Sequence, residues 1–381
     1  MWFVLLFLAL PILLYQATVI WVLGFFVKKM KDSAGFSQKE WPGISILVPV
    51  KGWIQGFDEN FRSLLKLDYP GPLQLILAVK DPNDEVIRLA QKILSTTSTR
   101  VQAELSIGGR DAGSNPKNSN LIRGFSKATH SWIYCSDADV ALEPSHLKRF
   151  MECTEGDLRN FASAIIFYEG ARNFGARLEA IGTNVESTGF FLSSSQSRKY
   201  SAMNGAAMFF HRDLLRKVGG FEAVANTLTD DLVLRKCFVN VGACGKIAPS
   251  LIHANLESQS LQAFMSRLVR WILIVRCYEP KFFWSAPLSW VWQWMALMAV
   301  VSGNPACFLI SGTAMLSRLT MAFTIQWRLG RNKMDLFNLF LLPIYDLLTP
   351  FAWTQALFTS EVSWAGQRFV VERDGRLTAY S

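Results

Sequence analysis

An uncharged apolar run restricts the fold of this chain more than any other feature. Residues 1–27 contain no charged side chain and are mostly Leu, Phe, Val, Ile and Trp. About 20 apolar residues suffice to cross a bilayer. A cleaved signal peptide would show a basic start, a shorter apolar core and a small-residue cleavage site, which this run lacks. We therefore predict a retained transmembrane anchor at residues 1–27.

Charge then indicates the side of the membrane. Lys28, Lys29 and Lys31 follow the anchor directly, and the positive-inside rule places them and the chain beyond them in the cytoplasm. The net charge is +9, without the basic runs of a nucleic-acid-binding protein. An anionic membrane surface and an anionic substrate explain that excess.

The six cysteines form no CxxC pair, which indicates free thiols in a reducing compartment.

Residues 41–260 have the alternating pattern of an α/β domain with a parallel sheet. The pattern predicts strands at 44–50, 73–79 and 101–107, followed by an apolar stretch at 131–136. Asp81 follows the second strand, and Asp137 and Asp139 follow the last stretch. Because ligands bind at the carboxyl ends of such strands, we expect these acids at one edge of the sheet.

Asp137 and Asp139 are separated by one residue. Such a pair suits a divalent cation that also holds a phosphate-bearing substrate, since hard cations prefer oxygen ligands. A turn that caps a helix is the other interpretation of this pair. Asp230 and Asp231 precede a predicted helix. They either cap that helix or supply a general base, and spacing alone leaves both open.

The C-terminal third is apolar and rich in aromatic residues. Residues 262–275 form an amphipathic pattern that suits an interfacial helix or a phosphate clamp, and both roles are compatible. Residues 287–302 and 305–326 predict a membrane hairpin, in which Arg318 is expected to snorkel or pair. A further apolar segment, 336–358, either crosses or re-enters.

Taken in order, these motifs resemble the ceramide glucosyltransferases, glycosyltransferase family 21, within the family 2-like GT-A glycosyltransferases. The pattern of that family is three separated aspartates followed by (Q/R)xxRW. The matching residues here are Asp81, Asp137, Asp231 and Arg267-Leu268-Val269-Arg270-Trp271, supported by Asn115-Pro116-Lys117. The likeness spans about residues 44–376. This chain has Asp137-Ala138-Asp139 where animal members have Asp-Ser-Gly, and no His in 187–200.

The resemblance implies an α/β GT-A domain with N- and C-terminal transmembrane helices. The implied segments are the anchor at 1–27, a cytosolic catalytic domain at 41–260, an interfacial helix at 261–284, membrane segments at 285–358 and a polar tail at 359–381, which we expect to be cytoplasmic. The implied reaction is inverting transfer of glucose from UDP-glucose to ceramide, forming a β-glucosylceramide.

The resemblance also implies the roles of single residues. Asp81 would bind the uracil or ribose, and Lys117 and Asn120 would reach the donor. Asp137 and Asp139 would bind Mg²⁺ or Mn²⁺ on the diphosphate, with Asp137 also contacting the nucleotide sugar. Asp231 would take the proton of the acceptor hydroxyl. Arg267, Arg270 and Trp271 would close over the pyrophosphate.

Several alternatives stay open. The same chemistry could act on diacylglycerol or a hopanoid polyol. A polysaccharide synthase ranks lower, because few membrane segments leave little room for a polymer channel. A non-catalytic membrane scaffold ranks low as well, because all three aspartates are intact. The membrane would be a bacterial inner membrane, or that of the Golgi or endoplasmic reticulum.

Overall fold

The computed structural model describes residues 2–32, 40–197, 202–364 and 367–379. Its strands are β1 (Ile44–Val50), β2 (Leu73–Val79), β3 (Gln102–Ile107), β4 (Trp132–Ser136), β5 (Val140–Leu142), β6 (Asn160–Glu169), β7 (Ala207–His211), β8 (Cys244–Asn255), β9 (Glu361–Trp364), β10 (Gln367–Val371) and β11 (Leu377–Ala379). Its α-helices are α1 (Trp2–Lys31), α2 (Phe57–Leu65), α3 (Glu85–Thr96), α4 (Pro116–Lys127), α5 (His146–Thr154), α6 (Phe174–Ile181), α7 (Thr188–Ser194), α8 (Arg212–Lys217), α9 (Asp230–Asn240), α10 (Leu261–Tyr278), α11 (Pro280–Ser285), α12 (Val291–Ser302), α13 (Pro305–Leu329) and α14 (Leu342–Phe358).

The chain divides into two compact units. The membrane unit comprises Met1–Lys28, Phe167–Ser193 and Leu256–Gly366. The sheet unit comprises Lys29–Ile166, Ser194–Asn255 and Gln367–Ser381.

The sheet unit is built on an eight-stranded sheet in the order β3-β2-β1-β4-β7-β6-β8-β5. The first four strands in that order are parallel, and β7 runs antiparallel to β4. β2 is buried along its whole length, as expected for the Val/Ile/Leu-rich strands of a parallel sheet that is covered on both faces. The chain leaves β1 towards β2 on one side and adds β4 on the other. The carboxyl ends of β1 and β4 therefore form a switch point, where such sheets bind ligands.

The loops at this edge are fixed by capping side chains. Asp84 caps α3 by accepting from the Val86 amide, and its other oxygen accepts from the Gly52 amide at 2.7 Å, just after β1. Asn115 caps α4, and Pro116 occupies the first helical turn, where it removes no helical hydrogen bond. Both caps hold loop backbone at the switch-point edge.

The last strands of the chain return to the sheet unit. β10 and β11 pair antiparallel, with Val370 opposite Thr378. We call residues 367–379 the C-terminal hairpin.

Among the residues that the structure describes, three helical segments are long and apolar enough to span a bilayer, namely Ala9–Lys31, Pro305–Leu329 and Asp335–Phe358. Small residues line part of the core of the membrane unit, where Ala9 packs with Ala299 and Ala314 from two other helices. Such residues let helix backbones approach closely in a membrane.

The predicted span at 287–302 is not among the segments that are long enough to cross, and it stays a prediction. The helix there, α12, has only 12 residues, about 18 Å, against a hydrocarbon core of about 30 Å. Ala286–Ser289 form a 3-10 turn containing Pro287, and Trp290 leaves helical geometry (φ −81°, ψ 47°). The segment is apolar, as predicted, but the break at Trp290 shortens its helix. The segment at 336–358, left open above, is long enough to cross, as a 3-10 helix at Lys333–Leu341 followed by α14.

Candidate active site

The ammonium group of Lys117 is the centre of a charged cluster in the sheet unit. Lys117 lies in the first turn of α4, and its Nζ is 2.8 Å from Asp137 Oδ1 and 3.4 Å from Asp230 Oδ2. Nζ also donates to the Gly205 carbonyl at 3.0 Å. Burial lowers the pKa of Lys117, but the carboxylates of Asp137 and Asp230 outweigh it and hold that pKa above its usual range. Lys117 is therefore a fixed cation.

Asp231 lies beside this cation with its carboxylate oriented by three donors. Its Oδ2 accepts from the Gly205 amide at 2.7 Å, and its Oδ1 accepts from the Leu232 amide at 2.6 Å. The Thr229 hydroxyl also donates to Oδ1. The residue is half-buried, so a substrate hydroxyl could approach it. An oriented carboxylate of this kind can act as a general base.

Asp230, one of the two acids that the sequence left open between a cap and a base, contacts Lys117 in the structure. It is only 6% exposed, and the N-cap position of α9 is Thr229 rather than Asp230. Burial raises the pKa of its carboxyl group against the opposing effect of Lys117. In the sequence it is one of two adjacent acids before a helix, a pattern that a capping role explains equally well.

Gly205 is a site residue that the sequence did not single out. A Cβ atom at this position would lie 2.9 Å from Lys117 Nζ and 3.3 Å from Asp231 Oδ2. The absence of a side chain lets the backbone touch both groups. An isolated glycine before an apolar strand carries no sequence signal for such a contact.

The predicted acids do lie at the carboxyl edge of the sheet. Asp137 directly follows β4 with its side chain 35% exposed, and Asp139 is exposed on the turn before β5. Asp81 is exposed after β2, where its Oδ1 accepts from the Asn83 amide at 2.9 Å. Because β1 separates β2 from β4, Asp81 stands about 10 Å along the sheet from the Lys117 cluster.

Asn120 has a different environment from the one expected of a donor-binding residue. It is buried on α4, where its amide nitrogen donates to the Val50 carbonyl at 3.0 Å and its oxygen accepts from Arg123. These contacts fix α4 to the end of β1. The direct donor contact remains a prediction for Asn120.

The Arg-Trp motif belongs to the membrane unit. Arg267 on α10 pairs with Glu179, which is 1% exposed and also accepts from Gln259 at 2.8 Å. Burial, followed by the neighbouring Arg267, lowers the pKa of Arg270. Arg276, further along α10, donates to carbonyl groups at the end of α14, among them those of Leu357 at 2.8 Å and Thr359 at 2.9 Å. Glu179 and Arg276 thus anchor the helix that carries Arg267, Arg270 and Trp271.

The family model described as glycosyl transferase family 21 matches residues 2–377 of the chain. The chain belongs to glycosyltransferase family 21. This confirms the predicted family and its enzyme class.

The relatives of this family 21 glycosyltransferase agree with that assignment. Ceramide glucosyltransferase 1 of Caenorhabditis elegans is 20% identical over 352 residues, covering 88% of this chain and 73% of the relative. The ceramide glucosyltransferase of Candida albicans is 26% identical over 137 residues, covering 33% of this chain and 25% of the relative. A mannosyltransferase from Pyrobaculum calidifontis, solved with GDP-Man and Mn²⁺, is similar in structure with a TM-score of 0.51 at 14% identity, covering 90% of this chain and 99% of that one. The predicted GT-A fold is confirmed.

The donor atoms of this glycosyltransferase fit a cation that arrives with its substrate. Within the described parts of the chain, no three His, Cys, Asp or Glu side chains are grouped to hold a metal ion. Asp137 and Asp139 nevertheless offer carboxylate oxygens at the open edge. Mg²⁺-type ions are commonly held by one or two carboxylates together with substrate phosphates, so these two residues fit such an ion.

Proposed function

We propose that this glycosyltransferase transfers glucose from UDP-glucose to the primary hydroxyl of ceramide with inversion at the anomeric carbon. The observation that carries the proposal is Asp231, an oriented, half-buried carboxylate beside the Lys117–Asp137 pair. The names of the matched relatives from Caenorhabditis elegans and Candida albicans support ceramide as the acceptor.

In the proposed reaction, Asp231 takes the proton of the acceptor hydroxyl, and the oxygen of that hydroxyl attacks the anomeric carbon. A bond forms from that oxygen to the anomeric carbon, and the bond from the carbon to the β-phosphate oxygen breaks on the opposite face. The glucose is therefore inverted to a β-linkage, and UDP leaves. The amide of Gly205 and the hydroxyl of Thr229 hold the carboxylate in place for this step.

Negative charge develops on the departing UDP, and a cation held at the carboxyl edge of the sheet can offset it. Asp137 and Asp139 would hold Mg²⁺ or Mn²⁺, which supplies charge neutralisation on the diphosphate. Mn²⁺ in the similar mannosyltransferase structure supports this expectation. Lys117 holds Asp137 in position through their 2.8 Å contact. We further propose that Asp81 binds the nucleoside, and that Arg267, Arg270 and Trp271 bind the pyrophosphate, on the basis of the family motif.

The catalytic side of the membrane is proposed to be the cytoplasm. Lys28, Lys29 and Lys31 follow the first span. The C-terminal hairpin is part of the sheet unit, which supports an even number of crossings between β8 and β10. The two candidate spans in that interval, Pro305–Leu329 and Asp335–Phe358, satisfy this requirement.

Cysteine labelling tests the orientation. Single cysteines placed near Lys117, near Gln259 and at the exposed Arg373 should all react with an impermeant reagent only when the cytoplasmic face is open. Labelling of the Arg373→Cys variant from the other face would contradict the proposed orientation of the tail.

The substrate test is direct. The purified protein is incubated with Mg²⁺ or Mn²⁺, with UDP-glucose, UDP-galactose or GDP-mannose, and with ceramide, diacylglycerol or a hopanoid polyol, and the products are identified by mass. We expect glucosylceramide from UDP-glucose. Preferred transfer to another lipid would mean that this lipid, and not ceramide, is the acceptor. A polymer product would indicate a polysaccharide synthase, and no donor turnover would indicate a scaffold.

A further inference from the structure

The C-terminal hairpin is packed into the sheet unit rather than lying free. Phe369, Val371 and Leu377 are each less than 5% exposed. The turn between the strands is closed by the Gly375 amide, which donates to the Glu372 carbonyl at 2.9 Å, and Gly375 has a positive φ of 83°. A polar tail at the end of a membrane chain needs no such order to remain soluble, so this packing calls for a structural reason.

The hairpin pairs with the segment that leads into the active-site acids. The Leu228 amide donates to the Gly375 carbonyl at 3.1 Å, and the Leu377 amide donates to the Asn226 carbonyl at 2.8 Å. Thr227 and Arg376 face each other between these bonds as an antiparallel bridge. Residues 226–228 directly precede Thr229, Asp230 and Asp231.

The same segment is held by the loop directly before α4, the helix that carries Lys117. The Asn115 side chain donates to the Thr227 carbonyl at 3.0 Å, and the Ser114 amide donates to Asn226 Oδ1 at 2.9 Å. The Asn115 amide donates to the Ala225 carbonyl at 2.9 Å. Residues 225–228 are therefore bound on one side by the loop before α4 and on the other by the C-terminal hairpin.

We propose that the C-terminal hairpin is a positioning element of the active site, which fixes residues 226–228 and thereby places Asp230 and Asp231 against Lys117. This inference rests on the proposed function, because it takes Asp231 as the base. Displacement of a reacting group by about 1 Å can cost about 10²-fold in rate. Backbone bonds that hold the residues before the base are thus sufficient to matter for catalysis, although the hairpin itself contacts no reacting atom.

A disulfide across the bridge tests whether the hairpin stays in place during turnover. Thr227 and Arg376 are opposed without exchanging hydrogen bonds, a pairing in which Cα atoms lie about 4.5 Å apart and within disulfide range. The double variant Thr227→Cys, Arg376→Cys should cross-link on mild oxidation and keep its turnover within about twofold. The two single variants control for the six native cysteines. Failure to cross-link, or a loss above tenfold on oxidation that reductant reverses, would overturn the proposal.

A matched pair of glycine substitutions tests positioning itself. Gly375 and Gly242 have similar positive φ values of 83° and 86°, so valine strains both backbones, and at the buried Gly375 it also disturbs the packing. Gly242 follows the far end of α9, about 16 Å from Asp231 along that helix. We expect Gly375→Val to lower kcat about tenfold with KM for UDP-glucose unchanged, and Gly242→Val to lower only the melting temperature. Equal effects of the two variants on kcat would contradict a positioning role.

The two failures remain distinguishable. If the wild-type protein transfers no glucose to ceramide, the proposed function is wrong. The cross-link, which is read as a mobility shift on a gel, still reports whether the hairpin pairs with residues 226–228.

Discussion

The two units each contain a cation held between two carboxylates, and they use this arrangement differently. In the sheet unit, Lys117 lies between Asp137 and Asp230. In the membrane unit, Arg318 lies between Glu186 and Asp346. The composition of the two clusters is nearly the same, so the difference between them comes from geometry and surroundings.

The Arg318 cluster is closed around Asp346, while its other carboxylate, Glu186, keeps 40% of its side chain exposed. The guanidinium contacts both oxygens of Asp346, and the Trp292 indole donates to the same carboxylate at 2.9 Å. Asp346 is 4% exposed. A planar, bidentate fork of this kind suits a permanent ion pair. It connects α13, α14 and the π-helix Gly182–Ser187, and it confirms the expectation that Arg318 pairs.

The Lys117 cluster is open. Its cation is a point charge, Asp137 keeps a third of its side chain exposed, and Asp231 beside it is half-buried. Oxygen atoms of these residues can therefore still meet a ligand. The comparison indicates that the closed cluster stabilises the helices, whereas the open one supports chemistry, and the following experiments test this difference.

Removal of divalent metal should have the largest effect. Exhaustive chelation is expected to stop glucose transfer, because the charge on the leaving UDP is then not neutralised. The Asp139→Ala variant should need more added metal for half-maximal rate. The melting temperature should not change, since the Arg318 cluster is held by its own ion pairs. Transfer that survives chelation would show that Asp137 and Asp139 serve another purpose.

Substitution of the base should come next. Asp231→Asn keeps the shape of the side chain but cannot accept the proton, so we expect transfer to fall at least about 10²-fold while UDP still binds. Rates and UDP affinity are measured on the same preparation. Asp213→Asn, an exposed residue of α8, is the matched control and should behave as wild type. Turnover near wild type in Asp231→Asn would remove Asp231 from the mechanism.

Much of this fold could be predicted because its signals are local. The strands Ile44–Val50 and Leu73–Val79 lie at their predicted bounds, since continuous Val/Ile/Leu runs between turns leave little choice. The three aspartates of the motif were found because each ends a strand or begins a helix.

The remaining features depend on contacts between distant residues. Nothing in the sequence pairs Lys117 with Asp230, or Glu179 with Arg267, because the folded chain brings these residues together. The short helix α12 was missed because composition reports apolar character and not the break at Trp290. The role of Gly205 depends on a single close approach.

The closed cluster should respond to substitution by a loss of stability. Arg318→Met leaves Asp346 as an uncompensated buried charge, which typically costs about 3–5 kcal/mol in the free energy of unfolding. Arg328→Met, at an exposed position on the same helix, is the control and should change stability by less than about 0.5 kcal/mol. Both are measured by unfolding in detergent. Adding Glu186→Gln and Asp346→Asn to Arg318→Met should recover part of the loss, and no recovery would argue against a purely electrostatic cost.

The smallest effect on catalysis is expected at Asp230, and it tests which residues of the Lys117 cluster take part in proton transfer. Asp230 is buried, and its raised pKa means that burial already opposes the ionised form, so an asparagine replaces a charge that is costly to keep. Lys117 retains Asp137 at 2.8 Å and the Gly205 carbonyl at 3.0 Å. We therefore expect Asp230→Asn to lower kcat by no more than about tenfold, equivalent to about 1.4 kcal/mol, with metal dependence unchanged. A loss as large as that of Asp231→Asn would mean that the charge of Asp230, and not only its place in the cluster, takes part in proton transfer.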